Sequence, residues 1–233
     1  MDLQNRTTSF IYDYNRTNTF ENYIKANVSG KTVVDCGAGS GILTYLSAIN
    51  GATKVYCLES NQAIYDNLVT TFNSYANVEV QKLDCFTETL PTGDIYLHEF
   101  LGSFLWDEGF LDFINNLNSQ SITNIFPEDI TIFSKDSIEY DYEGQRLPYN
   151  YDNLSSDIKS FLPQEDWYPI IEEKYIYNYL YINVGNKATA YSGNILNLSS
   201  AYNSHTLWEI NTSYGTFSNL NTEFSCWPLG DSP

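Results

Sequence analysis

Two glutamates, Glu99 and Glu108, stand nine positions apart across a turn that contains Gly102. Carboxylates at that spacing can face each other like the arms of a hairpin. The ligand that suits such a pair is a guanidinium, which is planar, permanently charged and offers forked donors for bidentate contact. A second constellation lies upstream. Val33-Val34-Asp35-Cys36-Gly37-Ala38-Gly39-Ser40-Gly41-Ile42-Leu43 passes from a buried-strand run through a glycine-dense turn into a helical pattern. Glu59, eighteen positions past Gly41, closes the next apolar run, Val55-Tyr56-Cys57-Leu58. Glycines at 37, 39 and 41 let the backbone turn sharply and meet a ligand with no Cβ in the way. An acid at a strand's carboxyl end, one βα unit later, completes the pattern of a nucleotide-type site.

The elements that must hold these groups read as alternating strands and helices. Phe20, Tyr23 and Ile24 give a short helical stripe near the start. Strands are expected over 31–36, 54–58, 78–83 and 94–100, with helices over 42–50 and 61–75 between them. Phe110, Phe113, Ile114 and Leu117 mark another amphipathic helix. This order implies an α/β fold with a parallel, doubly wound sheet. After about Pro127 helical periodicity fades. Tyr175 to Val184 alternates tyrosine with mostly aliphatic residues, the period-2 mark of a half-buried antiparallel strand, and Leu207–Ile210, Thr216–Phe217 and Thr222–Phe224 suggest further short strands. The tyrosine face is read as cross-strand packing rather than a substrate platform. The expected division is a nucleotide-fold domain over 1–127 and a smaller β-rich, barrel-like region over 128–233.

Bulk properties narrow the function. The chain has 233 residues, 20 Tyr and 13 Phe, enough apolar surface for a real core and too many aromatics for a disordered chain. Its net charge of −18 argues against phosphate-backbone binding and for cationic or neutral partners. The four cysteines, Cys36, Cys57, Cys85 and Cys226, share no metal-ligand spacing. No signal peptide and no membrane-spanning run is expected, so the expected location is cytoplasmic.

With Asp35 ahead of it, the G-x-G-x-G run resembles the first motif of class I S-adenosylmethionine (SAM) methyltransferases, not the G-x-G-x-x-G of dinucleotide enzymes. His98-Glu99-Phe100-Leu101-Gly102, with Glu108 beyond it, resembles the double-glutamate loop of the protein arginine methyltransferases; His98 stands where that family has Ser. Arg16-Thr17-Asn18-Thr19-Phe20-Glu21-Asn22-Tyr23 is similar to the family's N-terminal helix, whose arginine pairs with the SAM carboxylate. Phe126-Pro127-Glu128 resembles the hand-over from nucleotide fold to β-barrel. The resemblance implies SAM as cofactor, contacted by Arg16, Asp35, Gly37, Ala38, Gly39, Gly41, Glu59, Ser60, Asp84 and Cys85. Glu59 would accept the ribose hydroxyls, and Asp84 either accepts the adenine amino group or caps its own turn. Glu99 and Glu108 would be the catalytic pair, gripping a substrate arginine in a basic protein or peptide. His98 is read as structural.

Departures from the family are specific. The barrel's Thr-His-Trp loop has only Ser225-Cys226-Trp227, which lacks the His, and Ser204-His205-Thr206-Leu207-Trp208, with different spacing. No clear dimerisation arm shows between Ser134 and Pro169, though 141–157 is loop-like enough to hold a reduced one, which leaves a homodimer open. Two other readings share the fold: a small-molecule methyltransferase, and a SAM-binding module without transfer activity.

Overall fold

The computed structural model describes residues 11, 14–101, 109–134, 139–141, 154–162, 181–183, 188–198 and 206–218. Helix α1 (Tyr14–Asn27) is followed by β1 (Thr32–Cys36), α2 (Ile42–Ile49), β2 (Lys54–Glu59), α3 (Gln62–Phe72), β3 (Val78–Lys82), β4 (Ile95–His98), α4 (Phe110–Ser119) and β5 (Ile125–Phe126). The five strands form one parallel sheet in the order β3-β2-β1-β4-β5. Val33 and Val34 of β1 are both fully buried, although adjacent residues of a strand point to opposite faces. A central parallel strand is covered on both sides, which is why it reads as a continuous apolar run. Strand order reverses between β1 and β4, so the crevice beyond their carboxyl ends is the topological switch point where ligands of such sheets bind.

The chain then changes texture. β6 (Asp129–Ser134), β7 (Glu139–Asp141), α5 (Ser156–Phe161), β8 (Tyr181–Asn183), β9 (Ala188–Asn194), β10 (Thr206–Thr212) and β11 (Gly215–Ser218) follow. Four of these strands form an antiparallel sheet in the order β11-β10-β6-β9, and β7 pairs with β8. The fold is therefore a parallel α/β sheet accompanied by a second, antiparallel β-rich part.

Helix α1 forms the seam between the two sheets. The Tyr23 ring stacks on Phe126 at 3.7 Å, and Phe20 meets Phe126 edge-on at 5.3 Å and Phe217 at 5.8 Å. At the tip of the β10–β11 hairpin, the Asn22 side-chain amide donates to the Tyr214 carbonyl at 3.1 Å, and that of Asn27 donates to the Tyr214 hydroxyl at 3.0 Å. Trp208 of β10 is fully buried and meets Phe217 edge-on at 5.9 Å. Trp208→Ala should lower the unfolding free energy by ~3–5 kcal/mol, the usual cost of deleting a buried indole, read from urea denaturation.

Several elements differ from the sequence reading. The 20–24 stripe belongs to a helix of 14 residues, and the fourth strand ends at His98 instead of running to Phe100. Within the 175–184 alternation only Tyr181–Asn183 is described, as β8; Thr222–Phe224 lies outside the described residues. Helix α5 and strand β9 carry no expectation from the sequence reading. No helix among the described residues is long and apolar enough to cross a membrane, and no group of three or more His, Cys, Asp or Glu among them could hold a metal ion.

Candidate active site

The glycine turn joins β1 to α2 at the mouth of the switch-point crevice. Gly37 and Gly41 have φ of +72° and +83°, in the left-handed region where side chains are strained. Both positions are also crowded. A Cβ on Gly37 would enter the Phe100 ring, and one on Gly41 would lie 2.8 Å from Leu68 and Phe72 of α3. The turn is closed by Ala38 N–H donating to the Leu58 carbonyl at 2.8 Å and Gly41 N–H donating to the Ala38 carbonyl at 2.7 Å. A cavity of about 200 Å³ opens here, lined by Gly37 to Ser40 on one side, by Arg16, Thr17 and Phe20 of α1 on another, and by Glu99 and Phe100.

Glu59 ends β2 beside this turn, largely buried. One carboxylate oxygen accepts from Gly39 N–H at 3.1 Å, the other from Asn61 N–H at 2.7 Å. A carboxylate has about four acceptor positions, so both oxygens retain capacity for a ligand's hydroxyls. Ser60, next in the chain, is exposed. Asp35 turns into the core instead: Thr44 Oγ1 of α2 donates to it at 2.7 Å. Asp84 accepts from Phe86 N–H at 2.9 Å and Thr87 Oγ1 at 3.0 Å, so it caps its own turn in this structure. Cys85 is buried with its thiol toward Cys36, whose own pKa burial pushes far up. Cys36, Cys57 and Cys85 are all free thiols.

Arg16 and Glu99 are brought together across 83 positions of sequence. Arg16 is buried on α1, and its Nη1 lies 2.7 Å from Glu99 Oε1, just past the end of β4. The Glu99 side chain keeps 22% of its surface exposed, so it stands at the rim of the cavity and not in the core. Glu108 lies outside the described residues.

His98 is fully buried against Phe113 and Phe110, with Nε2 3.0 Å from the Pro127 carbonyl. Nδ1 has no hydrogen-bond partner among the described residues. Burial pushes the imidazole from 6.5 down to about 4, against the opposing effect of the Pro127 carbonyl. It is therefore neutral at pH 7, which leaves Nε2–H as donor to Pro127 and suits a packing role. The unfolded chain binds the extra proton between pH 6.5 and 4, so His98 costs the fold stability as pH falls through that window. Asp35 acts in the opposite sense. Burial raises it to about 6, outweighing the Thr44 hydrogen bonds that lower it, so the folded state gains stability as pH falls below about 6. His98→Asn should thus gain on the wild type by up to ~3 kcal/mol between pH 6.5 and 4, read from paired urea midpoints.

No family model matches the chain. In sequence it is 36% identical over 110 residues to the histone-arginine methyltransferase CARMER of Drosophila mojavensis, which covers 45% of this chain and 20% of that protein. The probable histone-arginine methyltransferase CARMER of Drosophila melanogaster matches at 36% identity, with 45% and 21% covered. The match thus spans about a fifth of the length of these curated relatives. In structure, Arabidopsis thaliana protein arginine methyltransferase 10 matches with a TM-score of 0.59 at 20% identity, covering 94% of this chain and 78% of that one. PRMT6 matches with a TM-score of 0.54 at 14% identity, covering 90% and 80%. The chain carries the fold of the protein arginine methyltransferases, and about 45% of its length is similar in sequence to the CARMER histone-arginine methyltransferases.

Proposed function

We propose that this chain binds SAM in the crevice between β1 and β4 and methylates a guanidinium nitrogen in a basic protein or peptide. The crevice has the chemistry the donor requires: a buried cation, Arg16, on one wall, a backbone turn with no Cβ in the way at Gly37, and the Glu59 carboxylate behind that turn. Arg16 would neutralise the donor's carboxylate, residues 37–41 would pack along its backbone-facing side, and Glu59 would accept its ribose hydroxyls. SAM, when bound, supplies a methyl group on a sulfonium, open to in-line attack.

The chain's own contribution is to hold and polarise the acceptor. Glu99, with Glu108, would grip the guanidinium through forked hydrogen bonds and bias its positive charge toward the nitrogens that do not react. The third nitrogen keeps its lone pair available and is oriented toward the donor, so positioning and electrostatics supply most of the rate. The proton on that nitrogen becomes acidic as the N–C bond forms, which removes the need for a strong base at the outset.

The observation that carries this reading is the Arg16–Glu99 pair. Glu99 already holds a guanidinium at 2.7 Å, at the rim of a cavity walled by the glycine turn. The net charge of −18 favours a basic acceptor and disfavours nucleic acid. Purified protein with labelled SAM and arginine-rich peptides tests the reading, and label is expected on arginine. Label on a small amine, hydroxyl or carboxyl compound, with the peptides unchanged, would replace it with a small-molecule methyltransferase. Donor binding without transfer to any acceptor would leave a SAM-binding module.

A further inference from the structure

We propose that α5 is a staple joining two walls of the cavity, and that Ser155 and Glu21 are positioning residues which act on the donor site through α1. The inference rests on the donor-binding reading above and extends it to residues that do not line the cavity.

Leu154, Ile158 and Leu162 recur at four-residue intervals and are all buried, so α5 is docked along a single apolar stripe. Polar contacts fix each end of it. At its start, Ser155 Oγ accepts from Ile158 N–H at 3.2 Å, capping the helix, and donates to Glu21 Oε1 at 2.6 Å. The same Glu21 oxygen accepts from Lys25 Nζ at 2.7 Å, and Lys25 lies 3.1 Å from Asp157 Oδ2. At the far end, the Tyr45 and Ser160 hydroxyls are 2.7 Å apart, and the Phe161 ring lies 4.9 Å from that of Tyr45. α5 therefore grips α1 with one end and α2 with the other.

Those two helices carry opposite sides of the cavity. α1 supplies Arg16, Thr17 and Phe20, and α2 begins where the glycine turn ends. Glu21 is 3% exposed, and burying a carboxylate costs free energy unless its oxygens are bonded. Lys25 meets part of that requirement from within α1, and Ser155 adds its hydrogen bond only while α5 is docked and α1 keeps its rotation. Closely packed helices transmit such a constraint because they lack free volume to absorb it, so the angle at which α1 presents Arg16 follows from the α5 contact.

The test measures binding of S-adenosylhomocysteine, the demethylated donor, together with hydrogen exchange of the α1 amides in the ligand-free protein. Ser155→Ala should speed exchange across residues 14–27 and raise the Kd for S-adenosylhomocysteine about five- to tenfold, the scale of one lost hydrogen bond. Turnover at saturating SAM should stay unchanged, and Ser155→Thr, which keeps the hydroxyl, should restore both readouts. Glu21→Gln gives a second route to the same loosening should Ser155→Ala fold poorly. Unchanged α1 exchange in both variants overturns the proposal, as does faster exchange with a Kd within twofold of wild type. A wild type that does not bind S-adenosylhomocysteine would instead sink the donor reading, and the exchange arm would still decide whether α5 holds α1.

Discussion

Glu99→Gln is expected to lower methyl transfer to an arginine peptide by about a thousandfold, the scale on which loss of a preorganised electrostatic contact acts. Affinity for S-adenosylhomocysteine should stay within about threefold, since Glu99 serves the acceptor and Arg16 keeps its place on the cavity wall. The substitution is nearly isosteric, so the loop after β4 keeps its shape. What changes is charge: a neutral amide offers one acceptor oxygen and a competing NH₂ in place of a carboxylate that takes two guanidinium donors. The buried Arg16 loses one anionic contact at the same time, so the ligand-free variant should also melt several degrees lower. Saturating S-adenosylhomocysteine should recover part of that loss, because the ligand brings a carboxylate of its own. Single-turnover transfer and calorimetric titration measured on one preparation separate these effects. Equal collapse of binding and transfer would show that Glu99 serves the fold and not the acceptor.

The second large effect is expected from Gly37→Val. The position has a φ of +72°, and any Cβ there enters the Phe100 ring. A branched side chain adds left-handed strain of ~1–2 kcal/mol and pushes Phe100 away from the turn. Binding of S-adenosylhomocysteine should weaken by about a hundredfold, equivalent to ~2.7 kcal/mol, because the cavity wall itself has moved. Gly30→Ala is the matched control. Gly30 has a φ of +74°, and an alanine methyl there would meet nothing within 4 Å, so the substitution carries strain without intrusion. It should cost ~1 kcal/mol of stability and leave the affinity unchanged. Loss of binding in both variants would trace the effect to general destabilisation instead of the shape of the turn.

The nucleotide-fold half was legible because its signals are local. A strand buried on both faces must be apolar at consecutive positions, which Val33–Val34 and Val55–Leu58 display directly. A turn that needs positive φ at every second site from 37 to 41 draws glycine there, and the α4 core residues Phe110, Phe113, Ile114 and Leu117 recur at helical spacing. Helix α5 also has a local signal, Ser155 as cap with Leu154, Ile158 and Leu162 on one face. Its six residues are too few for periodicity to stand out from the surrounding loop-like sequence.

By itself the sequence determined the order of strands and helices in the nucleotide-fold half, the parallel sheet and the place of the glycine turn, since hydrophobic period and backbone conformation depend on neighbouring residues. Tertiary structure alone decided which charges meet. Nothing near Arg16 announces Glu99, nothing near Glu21 announces Ser155, and Asp35 spends its carboxylate on Thr44 of the neighbouring α2. A charged side chain's partner is set by which elements pack together and at what rotation, and that follows from burying the whole apolar surface at once.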